Sequence, residues 1–254
     1  MKTNKYSSRK KKTTWILLAA AVILLSFSAL QGARAALTYV SDNYTAQLSV
    51  SQIGVSLLEN GSKVSYRDYT GSGDTWSEGS SDLLTKMIPA GDKLELGKKY
   101  QEELNVQNSG KIDEYVRVTI TKSWTDADGN KVTSLSPTLI NLNLTGNGWV
   151  KDDNASTDER TVLYYTGVVA SGASTPNFSD TINIDNAVAS KYTESSTTDA
   201  NGYTTITTTY QYDGVKFNLE ATVDAVQTHN AKDAIKSAWG VDMNVASDGT
   251  LSLQ

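Results

Sequence analysis

From Val215 to Val223 apolar and polar residues alternate without a break. Val215, Phe217, Leu219, Ala221 and Val223 fall on one side, and Lys216, Asn218, Glu220 and Thr222 on the other. Side chains of an extended chain repeat every two residues, so this pattern predicts a β-strand with one buried face. Tyr203–Tyr212 precedes it, and Asp213-Gly214 between the two predicts a tight hairpin. A second hairpin is predicted from Tyr100–Gln107, with Tyr100, Leu104 and Val106 on one face, to Tyr115–Trp124, with Val116, Val118 and Ile120. Asn108-Ser109-Gly110 supplies its reversal and Lys111–Glu114 leads into the second arm. An earlier run changes phase: Leu48 and Val50 are even, whereas Ile53, Val55 and Leu57 are odd. A bulge near Ser51-Gln52, or a passage from one sheet to the other, restores burial of both sets. Turn pairs recur (Asn60-Gly61, Asp128-Gly129, Asn201-Gly202), and Pro89, Pro137 and Pro176 stand at run edges. The pattern predicts an all-β, jelly-roll-like antiparallel β-sandwich with polar loop insertions.

One segment has helical spacing instead. Ala231, Ala234, Ile235 and Ala238 share a face, Asn230 stands at the N-cap and Gly240 at the left-handed stop. A short helix near 230–240 follows. The stretches Tyr69–Ser81, Lys151–Glu159, Gly167–Asn177 and Thr193–Asn201 are polar and rich in Gly, Ser, Thr and Asp, and read as surface loops.

The N-terminus has its own pattern. Lys2, Lys5 and Arg9–Lys12 precede the apolar run Trp15–Leu30, and Ala33-Arg34-Ala35-Ala36 follows. A basic region, an apolar region and an A-x-A exit predict a secretory signal peptide over 1–35, cleaved after Ala35 with Ala33 and Ala36 flanking the site. The apolar run is short of the roughly 20 residues that span a bilayer, so membrane contact is expected only through the uncleaved leader. Residues 36–254 form a single predicted domain. The leader holds seven of the 23 basic residues (Lys2, Lys5, Arg9, Lys10, Lys11, Lys12, Arg34) and no acidic one, which leaves 16 against 28 and a net charge of −12. That balance disfavours nucleic acid and anionic surfaces, which need clustered Lys and Arg. Cysteine is absent, so no disulfide stabilises the exported domain.

Candidate chemistry is sparse. His229 is the one histidine, which excludes the H-E-x-x-H zinc pattern and leaves a serine triad without its G-x-S-x-G elbow. Its place between the last strand and the helix suits a junction residue. Asp126, Asp128 and Asn130 offer oxygens at alternate positions, as calcium loops do, but Gly129 falls fourth and no glutamate stands twelfth. The competing reading is a hairpin turn between Trp124 and Val132. Trp76, Trp124, Trp149, Tyr164 and Tyr165 would stack on sugars if they shared an exposed face, and would otherwise pack in the core. No catalytic residue and no cofactor is expected.

Pro89-Ala90-Gly91-Asp92-Lys93-Leu94 resembles the Pro-Gly-Asp turn of the TasA/camelysin family of Gram-positive exported proteins, with Ala90 a one-residue departure. Leu104–Gly110 is similar to that family's apolar strand ending in an Asn-x-Gly turn, and Val215–Val226, with Glu220-Ala221-Thr222, to its last core strand. The resemblance covers the leader, 37–58, 88–121 and 203–227; the polar insertions and the helix depart from it. It implies processing by a SipW-type signal peptidase and a jelly-roll-like sandwich at the cell surface or in a biofilm matrix. It also implies self-association into fibres through the mature N-terminal segment. Here Ala36, Leu37, Thr38, Tyr39 and Val40 would form the donor arm, with Leu37 and Tyr39 on one face. The expectation is therefore a secreted, non-enzymatic structural protein. A monomeric adhesin or glycan-binding module is the alternative, and a camelysin-type metalloprotease ranks last.

Overall fold

The computed structural model describes residues 53–69, 76–89, 92–198 and 203–254. The signal segment, the arm Ala36–Val40, the region near Ser51-Gln52 and the Asn201-Gly202 turn lie outside the described residues.

Two antiparallel sheets face each other. The larger contains β1 (Val55–Glu59), β2 (Ser62–Tyr69), β3 (Trp76–Ser80), β4 (Tyr100–Asn108), β6 (Ile140–Leu144) and β9 (Ser179–Ile184), in the order β3-β2-β1-β4-β9-β6. The smaller contains β5 (Glu114–Thr125), β7 (Trp149–Lys151), β8 (Arg160–Tyr165) and β12 (Lys216–Gln227), in the order β12-β5-β8-β7. Leu57, Leu104, Val106, Ile182 and Ile184 from the first sheet meet Val116, Val118, Ile120, Leu163 and Leu219 from the second in one core. The chain is an all-β sandwich.

Part of the smaller sheet is buried on its outer face as well. On its outer side Tyr115, Val162, Tyr164 and Val226 pack against Ala231 and Ile235 of helix α1 (Ala231–Trp239) and against β13 (Met243–Val245) and β14 (Leu251–Leu253). This explains why Val162, Leu163 and Tyr164 are buried consecutively, which period two alone does not allow. Among the described residues no helix is long and apolar enough to cross a membrane.

Local signals hold where geometry is local. Asn60 (φ 49°) and Gly61 (φ 77°) turn β1 into β2 with both φ angles positive, as the preferred two-residue hairpin requires. Gly240 (φ 71°) ends the helix, its N–H donating to the Lys236 carbonyl. Asn230 differs from expectation: it sits at the cap position with φ 50°, and its side chain makes no capping hydrogen bond.

Both predicted hairpins are corrected. β4 and β5 lie in different sheets, β4 between β1 and β9 and β5 between β12 and β8. The link between them is an arch. Asn108 is fully buried and holds it: Nδ2 donates to the Ile112 and Val169 carbonyls (2.8 Å each), and Oδ1 accepts from Gly110 N–H (2.8 Å). β12 pairs with β5 over its whole length, from Lys216↔Thr125 to Gln227↔Glu114, rather than with the run before it. Asp213-Gly214 is thus a corner. β11 (Thr204–Tyr210) pairs instead with β10 (Tyr192–Thr198), inside the stretch expected to be loop. The expected loop Tyr69–Ser81 likewise contains β3, paired to β2. Every side chain of β10 and β11 is exposed, so neither strand carries the apolar alternation that would have announced it.

Candidate strand-docking groove

β12 is an edge strand. Along one side it bonds to β5; along the other, no strand of the described residues pairs with it. An edge of this kind presents a row of backbone donors and acceptors to whatever lies beside it. Its alternation places Leu219 in the core with Phe217, Ala221 and Val223 half-buried, while Lys216, Glu220 and Thr222 face outward.

Opposite this edge the larger sheet extends past its partner. Two grooves run between β12 and the β1–β2–β3 half of that sheet. The first, about 610 Å³, lies among Leu57, Val64, Leu83, Leu84, Met87 and Leu219. The second, about 460 Å³, lies among Val55, Tyr66, Arg67, Gly79, Ala221 and Val223. The Tyr66 ring lies across Gly79, where a Cβ would stand 2.7 Å from it and push the ring aside. Half-covered apolar side chains beside an unpaired backbone are what an added strand would complete: its amides would meet the edge, and alternate side chains would enter the two grooves.

One wall of the first groove is built by residues 81–88, and one buried acid is bonded to it. Glu59 ends β1 and is almost fully buried; its Oε1 accepts from Leu84 N–H at 2.6 Å. Glu59 lies opposite Leu104 in the β1–β4 register, so Glu102 is its diagonal neighbour on the inward face. Glu102 is fully buried and neither carboxyl oxygen has a hydrogen-bond donor, yet it faces the Glu59 carboxyl. Burial, followed by the charge of Glu59, pushes the Glu102 carboxyl up to about 8. Glu114, at the start of β5, is also fully buried without a donor; burial pushes it up to about 8, offset in part by the nearby Gly54 amide.

These acids were legible as a pattern that composition obscures. Glu102 has the parity of Tyr100, Leu104 and Val106; Glu114 that of Val116, Val118 and Ile120; Glu59 that of Val55 and Leu57. Period two alone sends all three inward.

The residues singled out for chemistry do not converge. The Asp126 carboxylate is spent closing its own turn: Oδ1 accepts from Asp128 N–H (3.0 Å) and Asn130 N–H (2.8 Å), and Oδ2 from the Asn130 side chain (3.2 Å). These bonds hold its carboxyl below the usual carboxylate range. Gly129 has φ 85°, and the chain closes with Val132 N–H on the Trp124 carbonyl, so this loop is the hairpin turn. Among the described residues no three His, Cys, Asp or Glu side chains are placed to hold a metal ion. The His229 carbonyl accepts from Gln227 at 3.1 Å, at the strand-to-helix junction. Of the five aromatic residues read as either a sugar platform or core, the Trp76 side chain lies outside the described ones. Trp124, Trp149 and Tyr164 are buried, on both sides of the smaller sheet, and Tyr165 is tilted on Trp149 with ring centroids 5.4 Å apart. Exposed aromatics lie instead on the β10–β11 ribbon, where Tyr192 and Tyr210 meet edge to face at 6.1 Å.

No family model, no curated protein and no solved structure matches the chain.

Proposed function

We propose that this chain is an exported, non-enzymatic structural subunit of the cell surface or extracellular matrix. It assembles when the arm Ala36–Val40 of one copy pairs with the free edge of β12 in the next. One observation carries the reading: a twelve-residue edge strand with one side left unpaired by the described residues and half-covered apolar grooves beside it. The leader pattern and the resemblance to the TasA/camelysin family support it. The arm has the chemistry the edge requires: none of its side chains is charged, and in an extended strand Leu37 and Tyr39 would share one side.

Two variants test the arm and the groove separately. Deleting Ala36–Ser41 removes the donor, and Ala221→Arg places a charged side chain where both grooves meet. Each is expected to abolish filaments in electron micrographs while leaving the thermal unfolding of the domain within about 1 kcal/mol of the parent. Unchanged filaments from both variants would remove the reading.

A second reading is favoured by the β10–β11 ribbon, whose exposed Tyr192, Ile206 and Tyr210 suit an adhesin that stacks on sugar rings. Glycan binding by the purified protein that disappears in Tyr192→Ala and Tyr210→Ala, without filaments, would select it.

A further inference from the structure

We propose that Glu59 and Glu102 form a proton-operated latch on the wall of the β12 groove, an inference that rests on reading that groove as a strand acceptor. The wall carries strain. Leu84 has φ 66°, a left-handed conformation that costs a branched residue of this size and persists only when neighbours impose it. What imposes it is the bond from Leu84 N–H to Glu59 Oε1, with the turn closed by Met87 N–H on the Leu84 carbonyl at 3.1 Å. Leu83, Leu84 and Met87 then line the groove.

With one proton between them the two carboxyls carry a single charge, and Glu59 presents it to Leu84. Loss of that proton to bulk water leaves two like charges side by side in the core. Desolvation and repulsion then drive one carboxylate toward solvent. Glu59, at the strand end and slightly exposed, has the shorter way out, whereas Glu102 is fully enclosed. Its departure takes the acceptor from Leu84, the turn relaxes, and the groove loses a wall.

Among the described residues, the surrounding elements place no charged group in hydrogen-bond or ion-pair contact with the pair. On β2, Lys63 is engaged by Asp68 at 2.7 Å. On β4, Glu103 has the opposite parity and accepts from Gln101. From β9, Ser179 donates to the Glu102 carbonyl at 3.0 Å and is not titratable. On the wall, Asp82 and Lys86 are exposed, and on β12 Glu220 is exposed. The burial that favours the neutral form of Glu102 is consistent with this arrangement.

Amide hydrogen exchange on the full chain tests the latch directly. After correction for intrinsic rates, protection of Leu84 is expected to fall about tenfold or more between pH 6 and pH 9.5. Glu102→Gln should keep its protection at both pH values. Glu59→Gln provides a second check, because its amide oxygen still accepts from Leu84 while its NH₂ donates to Glu102. Protection that ignores pH in the parent, or falls equally in both variants, overturns the proposal. So does recovery at pH 9.5 on adding calcium chloride, which would assign the pair to a cation. A fluorescent peptide of Ala36–Ser41 reports the groove independently, with binding expected at pH 6 and lost at pH 9.5 in the parent alone. Absence of peptide binding at every pH, with exchange still pH-dependent, would remove the acceptor reading and leave the latch standing.

Discussion

Acidification from pH 8 to pH 5 is expected to stabilise the folded protein by a few kcal/mol, or roughly 10 °C in melting temperature. Glu102 and Glu114 are both held near 8 in the folded state and return to the ordinary glutamate range when the chain unfolds. Between those limits the folded state binds more protons than the unfolded one, so stability falls as pH rises. Their contribution is complete below about 4.5 and gone once the pH passes about 8. Four aspartates act in the opposite sense. Asp126, Asp180 and Asp248 are held below the usual range by hydrogen bonds from Asn130, Asn143 and Thr250. Asp68 is raised by burial but lowered further by Lys63, Ser109 and Ser56. Their support disappears only below the ordinary carboxylate range, which places the stability maximum on the acid side of neutrality. Calorimetric scans from pH 4 to pH 9 check the dome, and Glu102→Gln with Glu114→Gln should flatten its alkaline limb. Equal melting temperatures at pH 5 and pH 8 in the parent would show that these acids are solvated after all.

Trp149→Ala is expected to cost about 3–5 kcal/mol, the largest effect of any aromatic truncation considered. The ring is nearly inaccessible, meets Phe178 edge to face at 5.3 Å and Tyr165 at 5.4 Å, and donates from Nε1 to the Pro176 carbonyl at 3.0 Å. Truncation opens a cavity and leaves that carbonyl without its donor, two penalties that add. Tyr192→Ala on the exposed ribbon should shift stability by less than about 1 kcal/mol. Urea unfolding of the two variants separates them. A Trp149 variant as stable as the parent would mean that the ring does not fill the core. Any loss of glycan binding by Trp149→Ala would therefore report unfolding rather than a missing sugar platform.

Legibility followed the range of the interactions. α1 was readable because its four-residue spacing, its glycine stop and its buried face lie within one short segment. The Asn60-Gly61 hairpin and the Asp126–Asn130 turn were readable for the same reason. The alternation of β4, β5 and β12 marks them as strands, but adjacency in sequence pairs β4 with β5 and β11 with β12, which the sheets do not. A turn signal such as Asp213-Gly214 fixes a change of direction, whereas pairing is decided by which apolar faces meet across the core. β10 and β3 show no such signal because backbone pairing needs no apolar alternation, and strands made largely of Ser, Thr, Glu and Gly have none.

The sequence by itself determined the strand-rich class, the inward parity of Leu104, Val118 and Leu219, the C-terminal helix and the acidic balance. Each of these depends on residue type and spacing within a few positions. Only the tertiary structure decided that β12 borders an open groove, that Trp149 is core and that Glu59 meets Glu102. Those facts depend on which distant segments come together, and the burial of side chains and the protonation of paired acids are set by that assembly.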